Sequence, residues 1–164
     1  MMTSQQKKQR YQRVTDQLAD LLAKPGDPMS RMATAAALLY HKMRHFFWIG
    51  FYRLQDGQLL AGPYQGAVAC QMLQKDTGVC WACVNRNETI IVPDVEQFPG
   101  HIACDSRSKS EIVVPVRDPS GQVAAVLDAD SDKLNMYDAI DAECLQTIAD
   151  LIFRNTVDGE IARF

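Results

Sequence analysis

Two strand–turn–strand patterns constrain this chain more than any other feature. Phe46 to Leu54 is rich in aromatic residues and stops at Asp56-Gly57, a hairpin signal, after which Gln58 to Pro63 returns. Glu111 to Val116 and Val123 to Ala129 repeat the arrangement around Asp118-Pro119-Ser120-Gly121, a strong turn. Connections this short join antiparallel neighbours, because parallel strands need a crossover of a dozen or more residues. An antiparallel sheet is therefore expected at the centre of the fold.

Helical periodicity falls outside these strands. Val14, Leu18, Leu21 and Leu22 recur at helical spacing in Tyr11 to Ala23, which Pro25-Gly26-Asp27-Pro28 ends. Met29 to Arg44 is a second, largely apolar helix, with His41 and His45 near its end in structural roles. Val79 to Asn85 reads as a short helix. Tyr137 to Arg154 reads as a closing helix, with Cys144 on its apolar stripe and so in the core. Between the strand pairs, Tyr64 to Leu73 reads as extended and Thr89 to Val92 as a short strand. Strands in succession with helices at both ends define an α+β fold, helices packed on one face.

The length of 164 residues suits one domain spanning 1–164. A net charge of -3 gives no footprint for nucleic acid or for an anionic membrane surface. No apolar run is long enough to cross a bilayer, and the polar, basic start Gln5-Gln6-Lys7-Lys8-Gln9-Arg10 does not read as a signal peptide. The cytoplasm, where thiols stay reduced, is the expected setting. Cys70, Cys80, Cys83, Cys104 and Cys144 make an odd count of five, which favours redox or metal roles over a disulfide framework.

The stretch Phe98-Pro-Gly-His-Ile-Ala-Cys-Asp-Ser-Arg-Ser-Lys-Ser-Glu-Ile-Val-Val-Pro115 starts as a loop and ends as a strand. Cys104 lies in it among His101, Asp105, Arg107 and Lys109. Neighbouring cations lower a thiol pKa, and the thiolate is the reactive form. Long loops inside compact domains are often functional. A small hydrophobe in a surface loop is the competing reading.

Cys70, Cys80 and Cys104 all fall at loops or element edges, so they can run a thiol cycle through sulfenic acid and disulfide. Cys80-Trp81-Ala82-Cys83 is formally C-x-x-C, but the βαβ context of a redox motif is missing. Zinc there needs two further ligands, for which His101 and Cys104 are the candidates. Asp128 and Asp130 alternate along one strand and share a face, and Glu111 starts the neighbouring strand. Carboxyls gathered at one pocket repel, so at least one should keep its proton near neutrality and act as an acid. A solvated strand end is the alternative, strongest for Asp130. Trp48 and Tyr52 alternate around Gly50 and make an aromatic wall suited to a thioether, or simply core.

Taken together, Trp48-Ile-Gly-Phe-Tyr52, Gly62-Pro-Tyr-Gln-Gly66, Ala69-Cys70, Gly78-Val-Cys80, Ile91-Val-Pro-Asp-Val95, Phe98 to Ser106, Ser110 to Pro115 and Val126-Leu-Asp-Ala-Asp-Ser131 resemble the free methionine-R-sulfoxide reductases, single GAF-domain enzymes. The resemblance implies an antiparallel sheet of about six strands flanked by helices, commonly as a homodimer. It implies free L-methionine-(R)-sulfoxide as substrate and thioredoxin as reductant, with no metal or organic cofactor. It also implies roles: Cys104 as the catalytic thiol, Cys70 and Cys80 as resolving thiols, Trp48 and Tyr52 around the methyl group, and Glu111, Asp128 and Asp130 as the acids that bind substrate and activate the sulfoxide. Which of Cys70 and Cys80 resolves first, and which aspartate donates the proton, stay open. A GAF domain that only binds a small molecule or senses redox state is the alternative.

Two positions depart from the family pattern. Cys83 adds a thiol where small residues are usual. Ala129 replaces a bulkier apolar residue, on the side of the strand away from the acids.

Overall fold

The computed structural model describes residues 3–101 and 104–156. Its elements are α1 (Ser4–Leu21), α2 (Pro28–Lys42), β1 (Trp48–Gln55), β2 (Gln58–Gln65), β3 (Met72–Leu73), α3 (Gly78–Arg86), β4 (Ile90–Val92), β5 (Ser110–Arg117), β6 (Val123–Ser131) and α4 (Ala139–Ala149). The strands form one six-stranded sheet in the order β3-β2-β1-β6-β5-β4, antiparallel throughout. The two hairpins are β1–β2 and β5–β6, as their turns predict, and the sheet is completed by pairing β1 with β6 at its centre.

The sheet divides two apolar layers. Ile49, Phe51, Ile112, Val114, Leu127 and Ala129 point to one face, where α1, α2 and α4 cover them. Trp48, Tyr52, Val113 and Val126 point to the other, where α3 packs with Val79, Cys80, Trp81 and Cys83. The period of 2 along each strand produces this split directly. Ala129 lies on the face away from the acids, as expected, and is fully buried.

Several boundaries shift. Helix α1 begins at Ser4, well before Tyr11, because Thr3 and Gln6 close a capping box over its polar first turn. Lys7 is buried against Asp141, which holds that turn down. Helix α4 ends at Ala149, short of Arg154. The extended segment expected from Tyr64 to Leu73 is interrupted: β2 runs to Gln65, Gly66 turns with φ +123°, and only Met72–Leu73 pairs again. Cys144 is half-buried, packed at the margin of the core.

Candidate active site

Register across the central strands builds the site. Trp48 on β1 pairs with Asp130 on β6, and Asp130 pairs on its other side with Glu111 on β5. Two residues along, Gly50 sits opposite Asp128, and Asp128 opposite Val113. The two aspartates therefore lie on one face, flanked by an aromatic wall and a glutamate from different strands. Above them is a cavity of about 310 Å³ lined by Trp48, Tyr52, Cys70, Cys80, Cys104, Glu111, Asp128 and Asp130. Every site residue expected from sequence thus borders one space.

Glycine at position 50 is required by the wall itself. A Cβ there would lie 2.3 Å from the Tyr64 Cβ and 2.6 Å from the Trp48 ring. Trp48 stacks on Tyr52 with ring centroids 6.0 Å apart and on Tyr64 at 5.4 Å. Tyr64 thereby joins the wall. Its only sequence signal is its place two residues beyond Gly62. Trp48 also donates from Nε1 to the Ala67 carbonyl at 3.0 Å, tethering the segment that leads into Cys70.

The acids are buried together. Glu111 and Asp128 are each 6% exposed, which rules out a solvated strand end for both. Burial, then the charges of Asp128 and Asp130, raise the Glu111 pKa well above the usual carboxyl range. Burial and Asp130 raise Asp128 likewise. Two carboxyls so raised and so close favour keeping a proton on at least one of them. Burial lifts Asp130 to about 6, although Ser108 opposes this by donating to its Oδ1. Asp130 is thus not the free strand end that its position suggests. Ser108 is a second residue that sequence reading missed, hidden in a run of polar loop residues.

The cysteines separate into two kinds. Cys70 and Cys104 are joined by a disulfide with their Cα atoms 5.6 Å apart, within the usual span. Cys80 and Cys83 are free and buried. Cys80 sits at an element edge as expected, in the first turn of α3, but that edge is buried: Cys80 is 5% exposed, with Sγ 3.6 Å from Asp128 Oδ2. Helix periodicity turns that edge of α3 onto the sheet. Burial, then Asp128 and Glu111, push the Cys80 thiol well up, so it is held protonated. Cys83 is pushed up to about 12 by burial, partly opposed by Arg117.

The cations around Cys104 are also committed elsewhere. Arg107 forms two side-chain bonds to Asp105, at 3.0 and 2.7 Å, and lies 4.6 Å over the Phe47 ring. Lys109 meets Glu96 at 3.3 Å. His101 turns inward, with Nδ1 3.7 Å from Glu111 Oε2, and burial lowers its pKa. Ile102 and Ala103, which belong to the same motif, lie outside the described residues.

An α+β sheet with this pocket on its α3 face defines the class. The GAF domain family matches residues 29–153, and the chain belongs to it. It is 42% identical to GAF domain-containing protein A of Dictyostelium discoideum over 89% of this chain and 92% of that protein. It is 41% identical to the free methionine-R-sulfoxide reductase of Saccharomyces cerevisiae over 77% of this chain and 74% of that one. The solved free methionine-R-sulfoxide reductase of Neisseria meningitidis, in complex with its substrate, superposes with a TM-score of 0.87 at 34% identity, over 94% of this chain and 93% of that one. Within the GAF proteins, the chain groups with the free methionine-R-sulfoxide reductases.

Proposed function

We propose that this chain, working as one GAF unit over 1–164, reduces free L-methionine-(R)-sulfoxide to methionine. The observation that carries the reading is the Cys70–Cys104 disulfide at a pocket that holds buried carboxyls beside an aromatic wall. In the reduced enzyme the Cys104 thiolate attacks the sulfoxide sulfur. A protonated carboxyl, Asp128 or Asp130, hydrogen-bonds the oxygen and gives it a proton. The hydroxyl ends on Cys104 as sulfenic acid and methionine leaves. Cys70 condenses with the sulfenic acid, releasing water and forming the disulfide. Thioredoxin then takes over the disulfide by two thiol exchanges. The free, buried state of Cys80 favours Cys70 as the resolving thiol and Cys80 as a group that stays beside Asp128.

Trp48 and Tyr52 receive the methyl group, and Glu111 holds the ammonium, whose charge favours the ionised carboxylate there. Homodimeric assembly and a cytoplasmic setting belong to the same reading, to be checked by light scattering and by fractionation. Among the described residues no helix is long and apolar enough to cross a membrane.

The test is NADPH consumption in a thioredoxin-coupled assay. Free methionine-(R)-sulfoxide should sustain turnover. The S epimer should not, because it exchanges oxygen and methyl between the acids and the aromatic wall. An N-acetylated, amidated substrate lacks both charges and should react about 10⁴–10⁵-fold less well. A domain that only binds or senses would give no sustained turnover with any of them.

A further inference from the structure

Cys80, Glu111 and Asp128 each offer one ligand atom, and these atoms all lie within 4.8 Å of one another. They are more than an acidic cluster, because one donor is a thiol and one carboxylate oxygen has no partner. Asp128 Oδ2 faces Cys80 Sγ at 3.6 Å, while Asp128 Oδ1 is buried and unpaired. His101 adds an imidazole on the same pocket, with Nδ1 3.7 Å from Glu111 Oε2 and a buried Nε2 that has no hydrogen bond.

We propose that this pocket binds one thiophilic divalent cation of the Zn²⁺ class through Cys80, Glu111 and Asp128, with solvent in the fourth position. The geometry fits that class. Zinc bonds of about 2.3 Å to sulfur and about 2.1 Å to oxygen, at tetrahedral angles, separate the two ligands by about 3.6 Å. The Cys80–Asp128 pair already has that spacing. Glu111's donor atom already lies within 4.8 Å of the other two, so closing on a shared ion takes a movement on the order of 1 Å at most. A protein donor set of one sulfur and two oxygens suits Zn²⁺ or Cd²⁺ and disfavours Mg²⁺ and Ca²⁺, which take oxygen alone. The cation also relieves the repulsion between two carboxyls that face each other in a buried site.

This is not the C-x-x-C reading: Cys83 takes no part. Nor is the ion a cofactor. It occupies the space between the aromatic wall and the acids, and so excludes substrate. Binding stands apart from the proposed reductase activity, and only the expected inhibition rests on that reading. Each ligand that arrives protonated releases its proton to solvent on binding, so affinity rises with pH.

The experiment titrates the protein, with Cys70–Cys104 oxidised, with Cd²⁺ and follows the thiolate-to-metal charge-transfer absorption. One equivalent should saturate a band of single-thiolate intensity, and Zn²⁺ should displace it. Cys80→Ser should lose the band, while Cys83→Ser and Cys144→Ser should keep it. Glu111→Gln, which preserves side-chain volume, should weaken binding by more than about tenfold, and so keeps the test intact if Cys80→Ser does not fold. Methionine should compete with the ion. Absence of the band, its survival in Cys80→Ser, or simultaneous binding of methionine and Cd²⁺ would each overturn the site. If binding holds but Zn²⁺ leaves turnover untouched, the reading of the pocket as the reductase site fails instead.

Discussion

Cys70 and Cys104 are bonded through their sulfurs across a separation of 34 residues, while Cys80 stays reduced against Asp128. This division assigns different outcomes to the thiols. Cys104→Ser should abolish methionine formation. Cys70→Ser should give about one methionine per enzyme in a single turnover and then stop, with no recycling by thioredoxin. Cys144→Ser, at the core margin, should turn over normally. Rapid-quench and steady-state assays on the three variants separate these cases. Sustained thioredoxin-driven turnover by Cys70→Ser would refute the assignment.

Asp128→Asn and Asp130→Asn should each lower kcat by about 10²–10⁴-fold, the usual penalty for a lost general acid. Amides preserve the shape but carry no acidic proton. The fold should survive, since both changes remove charge from a crowded cluster. Circular dichroism and steady-state kinetics report the two effects independently. Near wild-type rates in both variants would move the acid role to Glu111.

Stability should fall as pH rises from about 4 to about 6. The folded Asp130 has its pKa raised from 3.8 to about 6, so the folded state binds the proton more tightly than the unfolded chain. Below 3.8 both states are protonated and no penalty exists. Between the two values Asp130's own penalty grows and above 6 it is constant, while Glu111 and Asp128, also raised by burial, add penalties of the same sign. Asp130→Asn should flatten this slope in denaturant titrations run at several pH values.

Asp141 should act in the opposite sense. It is fully buried, accepts from Lys7 and from Tyr11 Oη at 2.7 Å, and lies 3.5 Å from His45 Nε2. Burial works to raise its pKa, but the nearby His45 and hydrogen bonds from Lys7, the Asp138 backbone and Tyr11 hold it at about 2. Its stabilisation is therefore complete above 3.8 and is lost as pH falls toward 2. Asp141→Asn removes the buried one of Lys7's two carboxylate partners and leaves Asp138 Oδ2 at 3.0 Å, so it should cost less than the about 3–5 kcal/mol of a fully unpaired buried charge at neutral pH. Urea unfolding of the variant at pH 7 and pH 3 checks both the size and the sign.

The sequence by itself determined the local parts. Asp56-Gly57 and Asp118 to Gly121 specified the hairpins, and strand periodicity placed Trp48 with Tyr52, and Asp128 with Asp130, on shared faces of their strands. These are short-range properties, set by turn conformation and by alternation of side chains. Tertiary structure decided the rest. Pairing of β1 with β6 brings Trp48 beside Asp130 from opposite ends of the sheet-forming region. Packing of α3 on the sheet buries Cys80, and the loop around Cys104 closes on Cys70 instead. Asp141 likewise meets Lys7 only because α4 lies against α1. Such contacts depend on which distant surfaces bury together, and no local spacing in a chain encodes that choice.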